Sequence, residues 1–172
     1  SDKSPTLGAN DKRTLLSLME ALPESARDRL LSLAQRWGQP ELFGTSVAAI
    51  IESLRKQVND ATLADDKRAA AAKRWIGLED KPEIVETVLK QVNRLTPPAL
   101  AAGLVNALGD SRNTNTGAAV IAHWPELTPT VRRSAIAVLM RRSDWALSLL
   151  DAVANEKINK GDLAPEHWSQ LK

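Results

Sequence analysis

Apolar residues recur along most of this chain at the three- and four-residue spacing of an amphipathic helix. The spacing predicts ten helices separated by short breaks. Their apolar stripes lie within Leu15–Leu22, Ala26–Trp37, Val47–Val58, Asp65–Trp75, Ile84–Leu95, Leu100–Leu108, Val120–Trp124, Val131–Leu139, Trp145–Val153 and Pro165–Leu171. No segment alternates apolar and polar residues with the β-branched enrichment of a strand. The pattern therefore predicts an all-α fold.

Gly, Pro and Thr residues mark several of the predicted helix ends. Gly77 follows the fourth helix and Gly109 follows the sixth, where glycine often ends a helix. Thr96 and Thr128 precede the sixth and eighth helices. A threonine hydroxyl at that position can accept a hydrogen bond from an otherwise unpaired backbone amide. We therefore expect Thr96 and Thr128 to cap these two helices.

Similar boundary sequences recur at a regular interval. Leu63, Leu95 and Leu127 each begin one and are spaced 32 residues apart, and Leu22 begins an earlier one 41 residues before Leu63. Two helices in a unit of this length are typical of a HEAT- or armadillo-like α-solenoid, in which antiparallel helix pairs stack and share one core. Chance, or the regularity of a simple bundle, is the alternative explanation.

The predicted α-solenoid also indicates how the chain is divided into domains. We expect a flexible lead-in at residues 1–10 and a single HEAT-like helical-repeat domain at residues 11–172. The chain begins with Ser1, without a Met and without a signal peptide. We therefore expect the domain to be a segment of a longer multidomain protein.

Composition limits the chemistry that the chain can perform. The 172 residues include no Cys, which excludes disulfides, thiolate catalysis, Cys-ligated metal sites and covalent haem attachment within this chain. Lys and Arg number 23 against 21 Asp and Glu, and the two kinds are interleaved along the sequence, so a nucleic-acid partner is only weakly supported. No apolar run approaches the ~20 residues that span a bilayer, so we expect no membrane span.

Residues that could form a catalytic or metal site are few. His123 and His167 each lack a partner at the spacing of a metal site or a catalytic pair. The polar stretch Asp110–Gly117 lacks the oxygen ligands of a calcium loop and is predicted to be a connection between helices. Phosphate-binding glycine loops and nucleophile elbows are also missing. We predict no catalytic residue, no cofactor and no metal ligand in this chain.

Tryptophan and arginine supply a candidate interaction surface. A Trp at a helix end usually fills the gap between repeats, but an exposed one could stack a base or bind a partner. The arginine pairs could contact phosphates, or could be solvated and paired with carboxylates. The predicted surface consists of Trp75, Arg132, Arg133, Arg141, Arg142 and Trp145.

The last third of the chain carries ordered motifs. They are Leu104–Arg112, Trp124–Ala135, Leu139–Arg142, Trp145–Val153 and Ile158–Leu163. From about Leu95 to Leu171, this order resembles the HEAT-like region of large multidomain proteins from planctomycetes and their relatives. In that family a dehydrogenase-like β-propeller precedes the helical repeats and a c-type haem domain follows them. The resemblance brings no functional residue onto this chain.

Two hypotheses of function follow. The first is a non-enzymatic scaffold that links a dehydrogenase-like domain to a c-type haem domain in the parent protein, or offers a surface to a protein partner. The resemblance implies haem c in a downstream domain, an oxidoreductase or electron-transfer role for the parent protein, and export to the periplasm. We expect the isolated domain to be a monomer.

The second hypothesis is a DNA-binding domain of the HEAT-like DNA glycosylase type. Such an enzyme needs a Trp and a carboxylate on a basic concave face. Trp75 with Asp65 or Asp66, and Trp145 with Asp144, are the candidate pairs. The nearly balanced charge of the chain favours the scaffold.

Overall fold

The computed structural model describes residues 8–37 and 43–170 of the chain. These residues form ten α-helices and no β-strand, so the predicted all-α class and the number of helices are confirmed. The helices are α1 (Ala9–Ala21), α2 (Glu24–Arg36), α3 (Gly44–Asn59), α4 (Asp65–Leu78), α5 (Pro82–Lys90), α6 (Pro98–Leu108), α7 (Thr116–Ala122), α8 (Pro129–Leu139), α9 (Ser143–Ala154) and α10 (Pro165–Gln170). Short 3-10 turns lie at Trp124–Glu126 and Lys160–Asp162. Residues 1–7 of the predicted lead-in, and Leu171 of the predicted last helix, lie outside the described residues.

The chain divides into two compact units, with the boundary between Ser53 and Leu54 in α3. The first unit contains α1, α2 and most of α3, and the second contains the end of α3 and α4 to α10. Buried side chains of the first unit include Met19, Leu31, Ala34 and Phe43. The single domain expected over residues 11–172 stays a prediction.

The helices of the second unit pack in two rows. α6 contacts both α4 and α8, and α7 contacts both α5 and α9. We call α4, α6 and α8 the even row, and α5, α7 and α9 the odd row. The rows are joined by contacts of α5 with α4 and α6, and of α8 with α9. Fully buried aliphatic side chains come from both rows and include Val88, Leu100, Leu104, Leu108, Ile136, Leu139 and Leu149.

Helix α5 illustrates how the residue pattern determines a helix of this unit. Pro82 occupies the first turn, where its missing amide hydrogen costs nothing, and Glu83 complements the positive end of the helix dipole. The apolar stripe of Ile84, Val85, Val88 and Leu89 is buried. Each such side chain contributes about 1.5–3 kcal/mol by leaving water. The helix is therefore held by packing of one face rather than by its own propensity.

Two predicted helix ends differ from the structure. Gly77 lies inside α4, which continues to Leu78, and nothing lies within 4 Å of the position that a Cβ on Gly77 would take. Burial of Trp75 and Ile76 favours this further extension of the helix. The fifth helix, by contrast, ends at Lys90, so Leu95 falls in the following connection and is 94% exposed.

The predicted threonine caps are wrong. The hydroxyl of Thr128 makes no capping bond to α8, although Thr128 directly precedes that helix. Pro97 takes the cap position of α6, because Pro98 is its first residue. A residue that precedes proline is pushed toward extended backbone. The hydroxyl of Thr96 instead donates to the carbonyl of Gln91 at 2.8 Å and closes the preceding turn.

The end of α9 depends on a left-handed residue. Glu156 has a φ of 58°, and the amides of Lys157 and Ile158 both donate to the carbonyl of Ala152. An L side chain is strained in this conformation, whereas glycine adopts it freely. We expect Glu156→Gly to raise the free energy of unfolding by about 0.5–1 kcal/mol in urea denaturation.

The matched control for this prediction is Ala154→Gly. It places the same residue in the last turn of α9, where ordinary helical backbone is required, and it should lower the free energy of unfolding by up to about 1 kcal/mol. Changes of the same sign in the two variants would contradict the assignment of strain to Glu156.

Candidate interaction surface

A buried polar network joins α4 and α5 to the connection that precedes α7. The hydroxyl of Ser111 donates to the carboxylate of Asp80 at 2.6 Å, and the amide of Arg112 donates to the other oxygen of that carboxylate. Ser111 also bonds Thr116 at 2.8 Å, and both side chains are buried. The predicted polar connection is therefore tied to the preceding helix pair through Asp80.

The connections that follow α5 and α7 are joined in a similar way. The ring of His123 donates from Nε2 to the carbonyl of Val92. The side-chain amide of Gln91 donates to the side-chain carbonyl of Asn59 at 2.8 Å. These bonds join residues 31 and 32 positions apart, and the bonds of Asp80 span the same distances. Side chains thus link successive helix pairs at two places. One is the connections that lead from the even row to the odd row, and the other is the connections that lead back from the odd row to the even row. His123 is a structural residue that forms one of these links.

The half-buried Arg132 is held by contacts within the chain. Its guanidinium lies 5.7 Å from the ring centre of Trp124 and 3.3 Å from the carboxylate of Asp162. The indole N–H of Trp124 donates to the same carboxylate oxygen, also at 3.3 Å. Asp162 comes from the 3-10 turn after α9, and its role has no signal in the sequence. Among the described residues, Nε of Arg132 and Oγ1 of Thr128 are buried without a hydrogen-bond partner.

Arg142 is held in a comparable way by the residues that follow it. Its guanidinium lies 5.1 Å from the ring centre of Trp145, and its Nε and Nη2 donate to the two carboxylate oxygens of Asp144 at 3.1 and 3.2 Å. Trp145 itself is fully buried. In this candidate pair, therefore, the indole of Trp145 lies in the core, and the carboxylate of Asp144 is already bonded to Arg142.

The bond from Arg142 to Asp144 also makes a contribution to folding stability that depends on pH. Hydrogen bonding by Arg142, assisted by its positive charge, lowers the pKa of Asp144. Because the pKa is lower in the folded chain than in the unfolded chain, the stabilisation is present above the unfolded pKa and is lost as pH falls through the folded pKa. In an NMR titration we expect Arg142→Gln to raise the pKa of Asp144 toward its ordinary value. An unchanged pKa in this variant would contradict the assigned cause.

The six residues of the predicted surface do not come together as one patch. Trp75 and Trp145 lie in the core, 4% and 0% exposed. Arg132 and Arg142 are half-buried against carboxylates, as described above. Only Arg133 and Arg141 are exposed. Arg141 lies 3.6 Å from the carboxylate of Asp110.

Charge is segregated between the two rows of the second unit. The helices of the even row carry six Lys and Arg residues and two Asp, whereas those of the odd row carry one Lys and four Asp and Glu. The charges are interleaved along the sequence and separate only because alternate helices enter alternate rows. A count of charged residues over the whole chain does not reveal this segregation. Separate counts for the odd-numbered and the even-numbered predicted helices would have revealed it.

The outer side of the even row combines basic residues with a floor of small ones. Because α6 lies between α4 and α8, the exposed strips of these helices lie side by side. We call these strips, with Arg141, the even-row face. It consists of the exposed Asp66, Lys67, Ala70 and Lys73 on α4, the exposed Ala99 and Asn106 with the half-buried Ala102 and Gly103 on α6, and the exposed Thr130, Arg133 and Ala137 on α8. A Cβ on Gly103 would lie 2.8 Å from that of Ala69, so α4 and α6 approach closely along this face.

The odd row bears an open groove of about 540 Å³ between α7 and α9. Its lining includes Ala118 and Ala122 of α7, and Ser148 and Asp151 of α9.

Among the described residues, no group of three or more His, Asp and Glu side chains is placed to hold a metal ion. Within residues 8–37 and 43–170, no helix is both long enough and apolar enough to span a membrane.

Comparison with known proteins adds no relative to this picture. The chain matches no protein-family model, no curated protein and no solved structure. The resemblance to the HEAT-like region of planctomycete multidomain proteins therefore stays an expectation from the sequence motifs.

Proposed function

We propose that the second unit is a HEAT-like α-solenoid and that the chain acts as a non-enzymatic scaffold. The observation that supports this best is the order of helix contacts, because helices two apart in the chain pack side by side within each row. Hydrogen bonds across 31 and 32 residues link successive pairs in the same register. In a solenoid each helix pair contacts only its neighbours and offers an extended surface to a partner.

In the parent protein, the scaffold would hold a dehydrogenase-like domain and a c-type haem domain in a fixed arrangement. This part of the proposal comes from the resemblance and extends to an exported oxidoreductase. The chain has no Cys, so the haem would be attached elsewhere in the polypeptide. The chain would contribute position and a docking surface, and its partners would be flanking domains or another protein.

The DNA glycosylase alternative has less support. It requires a Trp beside a carboxylate on an accessible basic face. Trp75 and Trp145 are buried, and Asp144 is engaged by Arg142. Neither candidate pair therefore offers an accessible ring on which to stack a base.

The coding sequence on both sides of this segment tests the scaffold proposal first. We expect a Cys-x-x-Cys-His motif within about one domain length, roughly 100–150 codons, downstream of Lys172. The flanking domain would then be produced separately and titrated with this chain by isothermal calorimetry. An unrelated c-type haem protein is the control.

Saturable binding of the flanking domain, but not of the control protein, would support a scaffold within the parent protein. A reading frame without the motif would remove the haem connection. Catalytic turnover by the isolated chain without a cofactor would overturn the non-enzymatic function itself.

A further inference from the structure

We propose that the even-row face is a docking site for an acidic amphipathic helix of a protein partner. This inference rests on the proposed scaffold function, because it names the kind of partner that the scaffold would bind. The charge, the shape and the size of this face support it.

The basic residues of the even-row face are only partly neutralised. Lys73 and Arg141 approach the single carboxylate of Asp110 from α4 and from the end of α8, at 3.4 and 3.6 Å. Their side chains remain 67% and 46% exposed. Two cations thus share one anion, and several of their N–H donors still face water. Arg133 and Lys67 add two more exposed cations. One exposed acid, Asp66 of α4, lies beside them, and α6 and α8 contain no acidic residue.

The small residues of α6 between these cations leave room for a second helix to pack closely. Ala99, Ala102 and Gly103 project little from α6, and Asn106 is the largest side chain of its exposed strip. Short side chains let a second helix approach closely and pack apolar residues against them. An occupant with an apolar stripe flanked by Glu or Asp would bury the stripe on α6 and reach the cations on both sides.

The size of the face favours one helix over a second copy of this chain. Three helices spaced 8–10 Å apart and about 16–20 Å long present roughly 400–600 Å². A stable protein–protein interface buries about 800 Å² on each partner. A single helix of about 16 residues is roughly 24 Å long, which is enough to lie across the three helices.

Nucleic acid fits the same face less well. The described Trp residues nearest in sequence to the even row are Trp75, Trp124 and Trp145. All three are buried, so none of these rings is available to stack a base. The odd row of the same unit is acidic and would repel a long polyanion.

The test is a titration of the chain with a designed peptide. The probe is a fluorescein-labelled helix of about 16 residues, made of Ala, Leu and Glu, with Glu on both sides of a Leu stripe. Fluorescence anisotropy at about 50 mM NaCl measures its affinity. A peptide of the same composition in scrambled order, and a DNA duplex of similar length, are titrated in parallel.

Two variants with the same net charge decide where the peptide binds. The face variant is Lys73→Glu with Arg133→Glu, and the control is Lys90→Glu with Lys157→Glu, which lie on α5 and after α9. Each substitution replaces a positive charge with a negative one, so both variants fall from a net charge of +2 to −2. All four residues are exposed, and circular dichroism checks that both variants fold.

We expect the face variant to bind the peptide at least about tenfold more weakly than the wild type, and the control to stay within about threefold. Raising NaCl to about 300 mM should weaken binding. No saturable binding up to about 1 mM peptide, or equal losses in the two variants, would overturn the proposal. Tighter binding of the duplex, or of the scrambled peptide, would also overturn it.

Self-association would likewise exclude the peptide as the occupant. Sedimentation of the chain at low salt would then show a dimer that the face variant abolishes. The failure of this inference is distinguishable from failure of the scaffold. If the flanking domain binds the wild type and the face variant equally well, the scaffold stands and only the docking site is wrong.

Discussion

Gly117→Ala is expected to lower the free energy of unfolding by about 1–3 kcal/mol. A Cβ at Gly117 would lie 2.9 Å from Cδ1 and Cγ of Trp145 and 3.0 Å from its Cβ. Trp145 is fully buried, and two of these atoms lie at the base of its side chain, so a simple rotation of the ring tip cannot relieve the contact. The substitution must therefore move α7 away from α9 or displace the indole from the core. Thermal and urea denaturation measure the loss.

The control is Gly77→Ala, because Gly77 lies within α4 and no atom lies within 4 Å of its added Cβ. Alanine is the better helix former, so this variant should gain about 0.5–1 kcal/mol. The two glycines are thus expected to respond with opposite signs. A gain at Gly117, or a loss of similar size at both positions, would contradict the close packing of α7 on Trp145.

Asp80→Ala is expected to lower the free energy of unfolding by about 1–3 kcal/mol. The carboxylate of Asp80 accepts from the hydroxyl of Ser111 and from the amide of Arg112. Ser111 is 3% exposed, so its hydroxyl would lose this acceptor where water has little access. The connection before α7 would also lose its tie to the preceding helix pair. Urea denaturation of the single variants and of the pair with Ser111→Ala measures the coupling.

The matched control is Asp110→Ala, an acidic residue of the same connection. Its carboxylate is 40% exposed and forms only surface ion pairs with Lys73 and Arg141. Such pairs contribute little, so we expect a change below about 1 kcal/mol. Equal losses for the two aspartates, or additive effects of Asp80→Ala and Ser111→Ala, would show that the buried network does not hold the connection.

Both predictions concern contacts between successive helix pairs, on which the scaffold proposal depends. If α7 shifts or its connection loosens, α5 and α9 lose their common neighbour in the odd row. The even-row face, in contrast, carries Lys73 and Arg133 on helices whose exposed strips these variants do not touch. Peptide binding to Gly117→Ala and Asp80→Ala should therefore persist wherever the variants remain folded.

Local pattern was sufficient for the helices themselves. The spacing of Ile84, Val85, Val88 and Leu89 predicts the buried face of α5 because a helix returns the same side every three or four residues. Helix ends were less predictable. Gly77 remains in α4 because the residues around it pack, whereas the threonine hydroxyls lost their expected capping role beside Pro97 and Pro129.

The candidate surface could be predicted only in part. Of the six residues predicted to form it, Arg133 and Arg141 are exposed, whereas Trp75 and Trp145 are buried. A sequence contains no direct measure of whether an indole faces the core or the solvent, because both occur at helix ends. Asp162 could not be connected with Trp124 or Arg132 either, since 38 and 30 residues separate it from them along the chain.

The sequence by itself determined that this protein is all-helical, because helix formation follows from local periodicity and from the breaks at Pro and Gly. Only the tertiary structure decided which charges share a surface. Alternate helices enter alternate rows, so cations of α4 and α8 that lie some 60 residues apart are separated by only α6. The acids of α5 and α9 lie on the other row. The basic even-row face is a product of how the helices stack, which long-range packing alone sets.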